Sequence, residues 1–309
     1  MRYFSAFFWI LLISGIVYGK LKLEKLMKIT FDCIPCLIGH AVHVAKMVSD
    51  DDQVRHDVIK KTLAAAGNID MSLSPPEQAR LIHQAIRTAS GVSDPYAAEK
   101  EMSTKFALRL MPTVREIIKN SDDEFEAVVR LVIAGNIIDY GVHGFTIGDA
   151  EKRILEVFDM HIDADAVKHL KKCMDNARKI FYMADNCGEA VFDRLLIERY
   201  SDKIILGVRG EPILNDITPH EIKASELDIV PYVHTGDTTP GVSMKHSSKE
   251  FMDEMRSADL VISKGQGNYE TLSDYDRPIF FLLRVKCQIV AEMIGHAQLG
   301  DLQVIHKNI

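Results

Sequence analysis

The sequence predicts an α/β protein in two halves: an N-terminal all-α bundle, then an α/β unit with a mostly parallel sheet. Three observations predict it. From Cys36 to about Ala177 the apolar residues recur at helical spacing, and almost nothing reads as strand. From Lys179 onward, short apolar runs alternate with helical stretches, the pattern of βαβ units with helices on both faces of a sheet. The change of period is abrupt and places the boundary near Asn176 to Lys179.

The elements follow in chain order. The first stretch, MRYFSAFFWILLISGIVYGK, has one early positive residue, an apolar run and small residues near Gly19. It reads as a secretory signal, and is short for a span that needs about 20 apolar residues. The rival reading starts the protein at Met27, with residues 1–26 an upstream extension. Five scattered cysteines, an odd number, suit a reducing compartment and favour that rival, a cytoplasmic protein. Export remains the alternative if residues 1–19 are a true signal.

Residues 27–177 form the expected helical part. CLIGHAVHVAKMV, DVIKKTLAAAG, PEQARLIHQAIRTAS, MSTKFALRLMPTVREIIKN, DEFEAVVRLVIAGNIIDYG and ADAVKHLKKCMDNA carry the helical period. Ser74 before Pro75-Pro76-Glu77, and Ser121-Asp122-Asp123-Glu124, are helix start signals. In residues 178–309, KIFYMAD, KIILGVRG, IVPYVHTGD, DLVISKG and RPIFFLLRVK read as five strands. The helices between and after them are GEAVFDRLLIERYS (amphipathic), HEIKASELD, SSKEFMDEMRSA and QIVAEMIG.

With 309 residues, 47% hydrophobic and 26% charged, the chain can bury a large core. A net charge of −7 without a basic tract argues against nucleic-acid binding, which needs clustered Lys and Arg. Oligomeric state is not readable from the sequence.

In an open α/β sheet, ligands bind at the carboxyl ends of the strands. Four of those ends are polar here. They are Asp185-Asn186-Cys187-Gly188-Glu189, Arg209-Gly210-Glu211 with Asn215-Asp216 just after, His234-Thr235-Gly236-Asp237, and Lys264-Gly265-Gln266-Gly267-Asn268. Asp185, Asn186 and Asp216 offer oxygen donors, which suit Mg²⁺ or Mn²⁺ better than a structural zinc. Lys264 before glycines brings an ammonium and free backbone N–H groups to one anion. A divalent cation beside an anion cradle is the equipment of phosphoryl chemistry. Each motif also has a plain reading: Asp185-Asn186 as a helix cap, Asp216-Ile217-Thr218 as a turn, Lys264-Gly265 as a solvated loop, Arg209 as a surface residue. Capping alone does not require the acids and the lysine to share an edge. There is no P-loop, no G-x-G-x-x-G after the first strand and no C-x₅-R loop.

The ordered set DN-C-GE, RG-EPILND-IT, H-TGDTTPG and KGQGNYE resembles the damage-control phosphatase family, also called the acidic-residue-methyltransferase-like domain. MKITFDCIPCL and AGNIIDYG are similar to its stand-alone prokaryotic branch, and the resemblance covers Met27 to Ile309. It implies a helical domain joined to a three-layer α/β/α domain. It also implies metal-dependent hydrolysis of phosphate esters, often sugar phosphates or damaged phosphometabolites. It implies Asp185, Asn186 and Asp216 as metal ligands and Lys264 as a phosphate-binding residue. Glu189 is expected to orient a ligand or take the proton of the attacking water. Catalytic roles thus fall on Asp185, Glu189 and Lys264, and substrate contacts on Arg209, Thr235, Gly236 and Asn268. The metal is open between Mg²⁺, Mn²⁺, Co²⁺ and Ni²⁺.

Cys33 and Cys36 form a C-x-x-C at a helix start, with His40 and His43 following. Packing of small residues competes with a second metal site or a redox pair. Asn136, Asp139 and His143 in AGNIIDYGVHG are placed to reach the strand edge or to end a helix at Gly141. Cys173 and Cys287 read as core thiols. Two other functions compete: an S-adenosylmethionine-dependent carboxyl methyltransferase, which wants a Gly-rich first turn, and a non-catalytic metal- or metabolite-binding protein.

Overall fold

The computed structural model describes residues 27–139 and 147–309. Residues 1–26 and His143 lie outside the described residues, as do the side chains of Asn136 and Asp139. Among the described residues seven helices come first: α1 (Cys33–Val48), α2 (Asp52–Ala66), α3 (Pro75–Ser90), α4 (Ala97–Lys119), α5 (Glu124–Asp139), α6 (Ile147–Asp159) and α7 (Ala164–Asn176). The expected start signals hold. Ser74 and Glu77 close a reciprocal cap around Pro75. Asp123 accepts from the amides of Phe125 at 2.9 Å and Glu126 at 3.0 Å.

The sheet then forms from β1 (Ile180–Met183), β2 (Ile204–Val208), β3 (Tyr232–His234), β4 (Leu260–Lys264), β5 (Ile279–Arg284) and β6 (Leu302–Lys307). Its order is β3-β2-β1-β4-β5-β6. The first five strands pair in parallel and β6 is antiparallel to β5. The order reverses direction between β1 and β4, the switch point where a crevice opens at the strand ends. The remaining helices are α8 (Cys187–Ile197), α9 (Lys249–Ser257), α10 (Gln266–Leu272) and α11 (Gln288–Ile294).

Strand side chains alternate between the two faces. Ile180 and Tyr182 join a core with Leu206, Ile262 and helices α4 to α8; Phe181 and Met183 join another with Phe251, Val261 and helices α9 to α11. Both faces of the central strands are covered, which is why they read as unbroken apolar runs. Helices α1 to α3 keep a small core of their own, built on Ala41, Val44, Val58, Ile82 and Ile86 with Tyr96. Helices α4 to α7, by contrast, pack into the core of the sheet.

The structure corrects three sequence readings. HEIKASELD is a run of turns: Ser225 bonds back to Glu221, but Glu226 takes a φ of +55° and Leu227 bonds to Ile222, closing the turn. GEAVFDRLL is not amphipathic in use, because α8 lies between the sheet and helices α4 and α5 and is buried on nearly every side. The five-strand sheet has a sixth strand, β6, and α6 joins the helices.

Candidate active site at the strand ends

The chain stops being a strand at Ala184, whose amide still bonds to Gly207. The next three residues cross to the loop after β2. Asp185 accepts at its carbonyl from the amide of Ile217 (2.9 Å), Asn186 and Asp216 form an isolated bridge, and the Cys187 amide donates to the carbonyl of Asn215 (2.9 Å). These backbone bonds bring Asp185, Asn186 and Asp216 together from two distant parts of the sequence. Asn186 stands at the N-cap of α8 but its side chain makes no cap hydrogen bond. Its amide instead reaches Glu189 Oε2 at 3.5 Å. The capping explanation of the Asp-Asn pair therefore fails on geometry.

Arg209 leaves the end of β2 and is almost wholly buried. Its Nε donates to Asp216 Oδ2 at 2.6 Å and its Nη2 to Asn268 Oδ1 at 2.9 Å, with Asp185 Oδ1 3.8 Å away. Asn268 in turn donates to the Lys264 carbonyl at 2.7 Å. Arg209 and Asn268, expected to contact substrate, thus brace Asp216 and the end of β4, with Arg209 Nη1 left without a partner. Lys264 is fully buried, its ammonium shared by Glu189 Oε1 and, at 2.6 Å, Asp193 Oδ1. Tyr182 donates its hydroxyl to the same Asp193 oxygen at 2.9 Å. Thr235 accepts from the Gly210 amide at 2.9 Å, which locks the loops after β2 and β3. Gly236 faces Gly210 so closely that a Cβ on Gly210 would lie 2.3 Å from the Gly236 Cα. Gly265, at φ +81°, leaves the space that the Asp185 carboxylate fills; a Cβ there would lie 2.0 Å from Oδ2.

The electrostatics single out the same place. The Asp, Glu, Lys and Arg residues buried among the described residues are Lys100, Asp185, Glu189, Asp193, Arg209, Asp216, Lys264 and Glu270, and all belong to this cluster. Burial pushes Glu189 up to about 8, Asp216 to about 6 and Glu270 to about 7, and raises Asp193. The charge of Asp185 adds to the rise in all four. For Lys264, burial pulls downward, but Asp193 and Glu189 outweigh it and hold the ammonium charged. Lys100, reaching in from α4, pairs with Asp94 at 3.1 Å and lies 3.6 Å from Glu221. Five buried carboxyl groups crowd against three cations, and the raised pKa values express the cost of ionising them together, which a divalent cation would relieve.

The donor set fits a hard cation. Asp185 and Asp216 offer carboxylate oxygens, and Asn186 its amide oxygen, the nitrogen being turned to Glu189. No three His, Cys, Asp or Glu side chains among the described residues are arranged to hold a metal, so the candidate centre rests on two carboxylates and an amide.

Comparisons with known proteins bear on the family and the fold. The family described as Damage-control phosphatase ARMT1-like domain matches residues 29–302. The chain belongs to that phosphatase family. An uncharacterized protein of Methanocaldococcus jannaschii is 36% identical over 289 residues, covering 89% of this chain and 94% of its own. An Archaeoglobus fulgidus protein named damage-control phosphatase is 33% identical, covering 89% and 98%. A Pyrococcus horikoshii protein of the same name is 32% identical, covering 86% and 93%. The crystal structure of a Pyrococcus horikoshii protein of the DUF89 family superposes with a TM-score of 0.82 at 31% identity, over 92% of this chain and all of that one. The family and fold expected from the ordered motifs are borne out.

The sequence reading missed Asp193 and Glu270. Asp193 is four residues after Glu189, on the same face of α8, and is the lone acid in the run AVFDRLL. That isolated charge was the available signal. Cys36 is raised by partial burial, and the neighbouring Cys33, Cys287 and Glu270 raise it further. A raised thiol is the opposite of what a redox-active helix-terminal cysteine needs. Cys173 and Cys287 are half-buried rather than core residues. No helix among the described residues is long and apolar enough to cross a membrane.

Proposed function

We propose that this protein hydrolyses the phosphate ester of a small metabolite, a sugar phosphate or a damaged phosphometabolite, with a divalent cation held by Asp185, Asn186 and Asp216. The observation that carries the reading is the gathering of the buried Asp, Glu, Lys and Arg side chains at one sheet edge. When bound, the cation would supply charge for the phosphoryl oxygens and activate water. The chain's own groups do the rest. Arg209 holds Asp216 in place, Gly265 makes room for Asp185, and Lys264 supplies positive charge for a phosphoryl oxygen. Glu189, its pKa raised into the neutral range, takes the proton of the attacking water. Thr235 and Gly236 shape the wall of the cleft. Mg²⁺, Mn²⁺, Co²⁺ and Ni²⁺ all suit such donors, and the cytoplasm is the compartment that fits the free thiols. We take residues 27–177 and 178–309 as a helical part and a catalytic part.

The test is hydrolysis of p-nitrophenyl phosphate by protein beginning at Met27, first with EDTA and then with each metal. Asp185→Asn and Asp216→Asn serve as controls. Turnover restored by metal, and lost in both variants, supports the reading. Absence of both turnover and metal binding in folded protein overturns it.

A further inference from the structure

Lys264 is held by two carboxylates, and the two are not equivalent. Asp193 has one methylene between backbone and carboxyl, no exposed surface, and a second bond from Tyr182 Oη on the same oxygen. Tyr182 is itself fixed in β1, with its ring fully buried. Asp193 is thus pinned from the sheet and from its own helix. Glu189 lies one turn nearer the strand ends and has a longer side chain. Its second oxygen makes only a 3.5 Å contact with the Asn186 amide. Gly135 of α5 lets that helix pack directly on α8 here, since a Cβ there would lie 3.0 Å from Glu189 Cγ. One carboxylate is held by two close donors on a single oxygen, and the other by the ammonium and one long contact.

We propose that Asp193 is the permanent anchor of Lys264, and that Glu189 is an exchangeable partner which an arriving phosphate displaces. The inference rests on the phosphatase reading and deepens it. In the resting site the ammonium is bonded to Glu189 Oε1 as well as to Asp193. A phosphoryl oxygen arriving at the ammonium takes the place of Glu189, while Asp193 keeps Lys264 where it was. Glu189 is released from the ammonium only when substrate is present. The water oxygen then bonds to phosphorus, and the ester P–O bond breaks with its electron pair on the alcohol oxygen. The water proton passes to Glu189, and solvent protonates the leaving alkoxide. Glu189 returns its proton to solvent as product leaves, giving alcohol and phosphate from ester and water. Asp193 touches no reacting atom and is a positioning residue.

The two carboxylates therefore have opposite signatures, although they bind the same nitrogen. The experiment uses metal-loaded protein, p-nitrophenyl phosphate as substrate and inorganic phosphate as inhibitor. Glu189→Gln is expected to lower kcat at least 100-fold while phosphate binds as well as in the parent, or more tightly. Asp193→Asn keeps the shape and the acceptor for Tyr182, and is expected to weaken phosphate binding at least tenfold and raise KM. Tyr182→Phe, which keeps both charges, is expected to weaken phosphate binding in the same direction by several-fold; it also serves if Asp193→Asn fails to fold. Equal weakening in Glu189→Gln and Asp193→Asn would overturn the assignment, as would parent-like phosphate binding in both Asp193→Asn and Tyr182→Phe. If the parent protein neither turns over the ester with any metal nor binds one, the phosphatase reading fails first. Calorimetric titration with inorganic phosphate still separates the two carboxylates in that case.

Discussion

Gly265 offers the sharpest test of where the metal sits. Replacing it with Ala perturbs two things at once. The backbone there has φ +81° and ψ 160°, a region open almost only to glycine, so the methyl costs about 1–3 kcal/mol in strain. The added Cβ would also lie 2.0 Å from Asp185 Oδ2 and 2.3 Å from its Cγ. Ordinary carbon–oxygen contact needs roughly 3.5 Å, so the carboxylate must retreat by about 1.5 Å. A misplacement of about 1 Å at a reacting centre is enough to cost roughly 10²-fold in rate. Gly295 supplies the control, since it has φ +84° and its Cβ would meet nothing nearer than 4.0 Å. The assay is metal-dependent turnover, metal affinity by calorimetry and thermal melting, all on both variants. Both variants should lose stability through their positive φ. Only Gly265→Ala should lose turnover, by about 10²-fold, with weaker metal binding. Parent-like turnover and metal affinity in Gly265→Ala would refute the placement of Asp185 as a ligand.

Three further outcomes are expected. Burial, helped by the charges of His40 and Arg87, depresses His83 from 6.5 to about 3, so its contribution is whole above pH 6.5 and is lost as the pH falls toward 3. At pH 5 the unfolded chain has taken up that proton and the folded chain has not, a loss of about 2 kcal/mol; urea denaturation at pH 7.5 and pH 5 should show this part of the acid sensitivity vanish in His83→Gln. Asp216→Ala leaves the buried Arg209 without its nearest carboxylate and should cost about 3–5 kcal/mol, far more than Asp216→Asn, as denaturant midpoints would show. Saturating divalent metal should raise the melting temperature, because a cation relieves the repulsion centred on Asp185, and the rise should disappear in Asp185→Asn.

The parts of this fold legible in the sequence are those whose environment is uniform. Strands β1, β2, β4 and β5 are covered on both faces, so IFYM, IILGV, LVISK and IFFLLR stand out as apolar runs. Their polar endings were legible for the same reason, since burial stops being apolar only where the site begins. β6 was missed because it lies at the sheet edge, where Leu302 and Val304 are buried and His306 is exposed, a faint alternation near the chain end. HEIKASELD misled because its helical period is real for one turn, and the left-handed Glu226 that ends it has no sequence signature. Asp193 escaped because α8 was read as amphipathic. On a solvated face an acid needs no explanation, whereas in a helix buried on nearly every side it must have a partner, and here that partner is Lys264.

The core shared by α4 to α7 and the sheet bears on how this chain can be cut. The break in sequence texture near residue 177 invites a clone of residues 178–309 as a minimal enzyme. Such a fragment would keep every proposed metal ligand. It would also lay bare one side of α8 and the sheet, where Ala190, Val191, Leu195 and Ile262 now share one core with Leu110, Val128 and Val132. A surface of that kind drives aggregation rather than catalysis. The helices before the boundary are the other half of the enzyme's interior, so the smallest unit worth expressing runs from Met27 to the end.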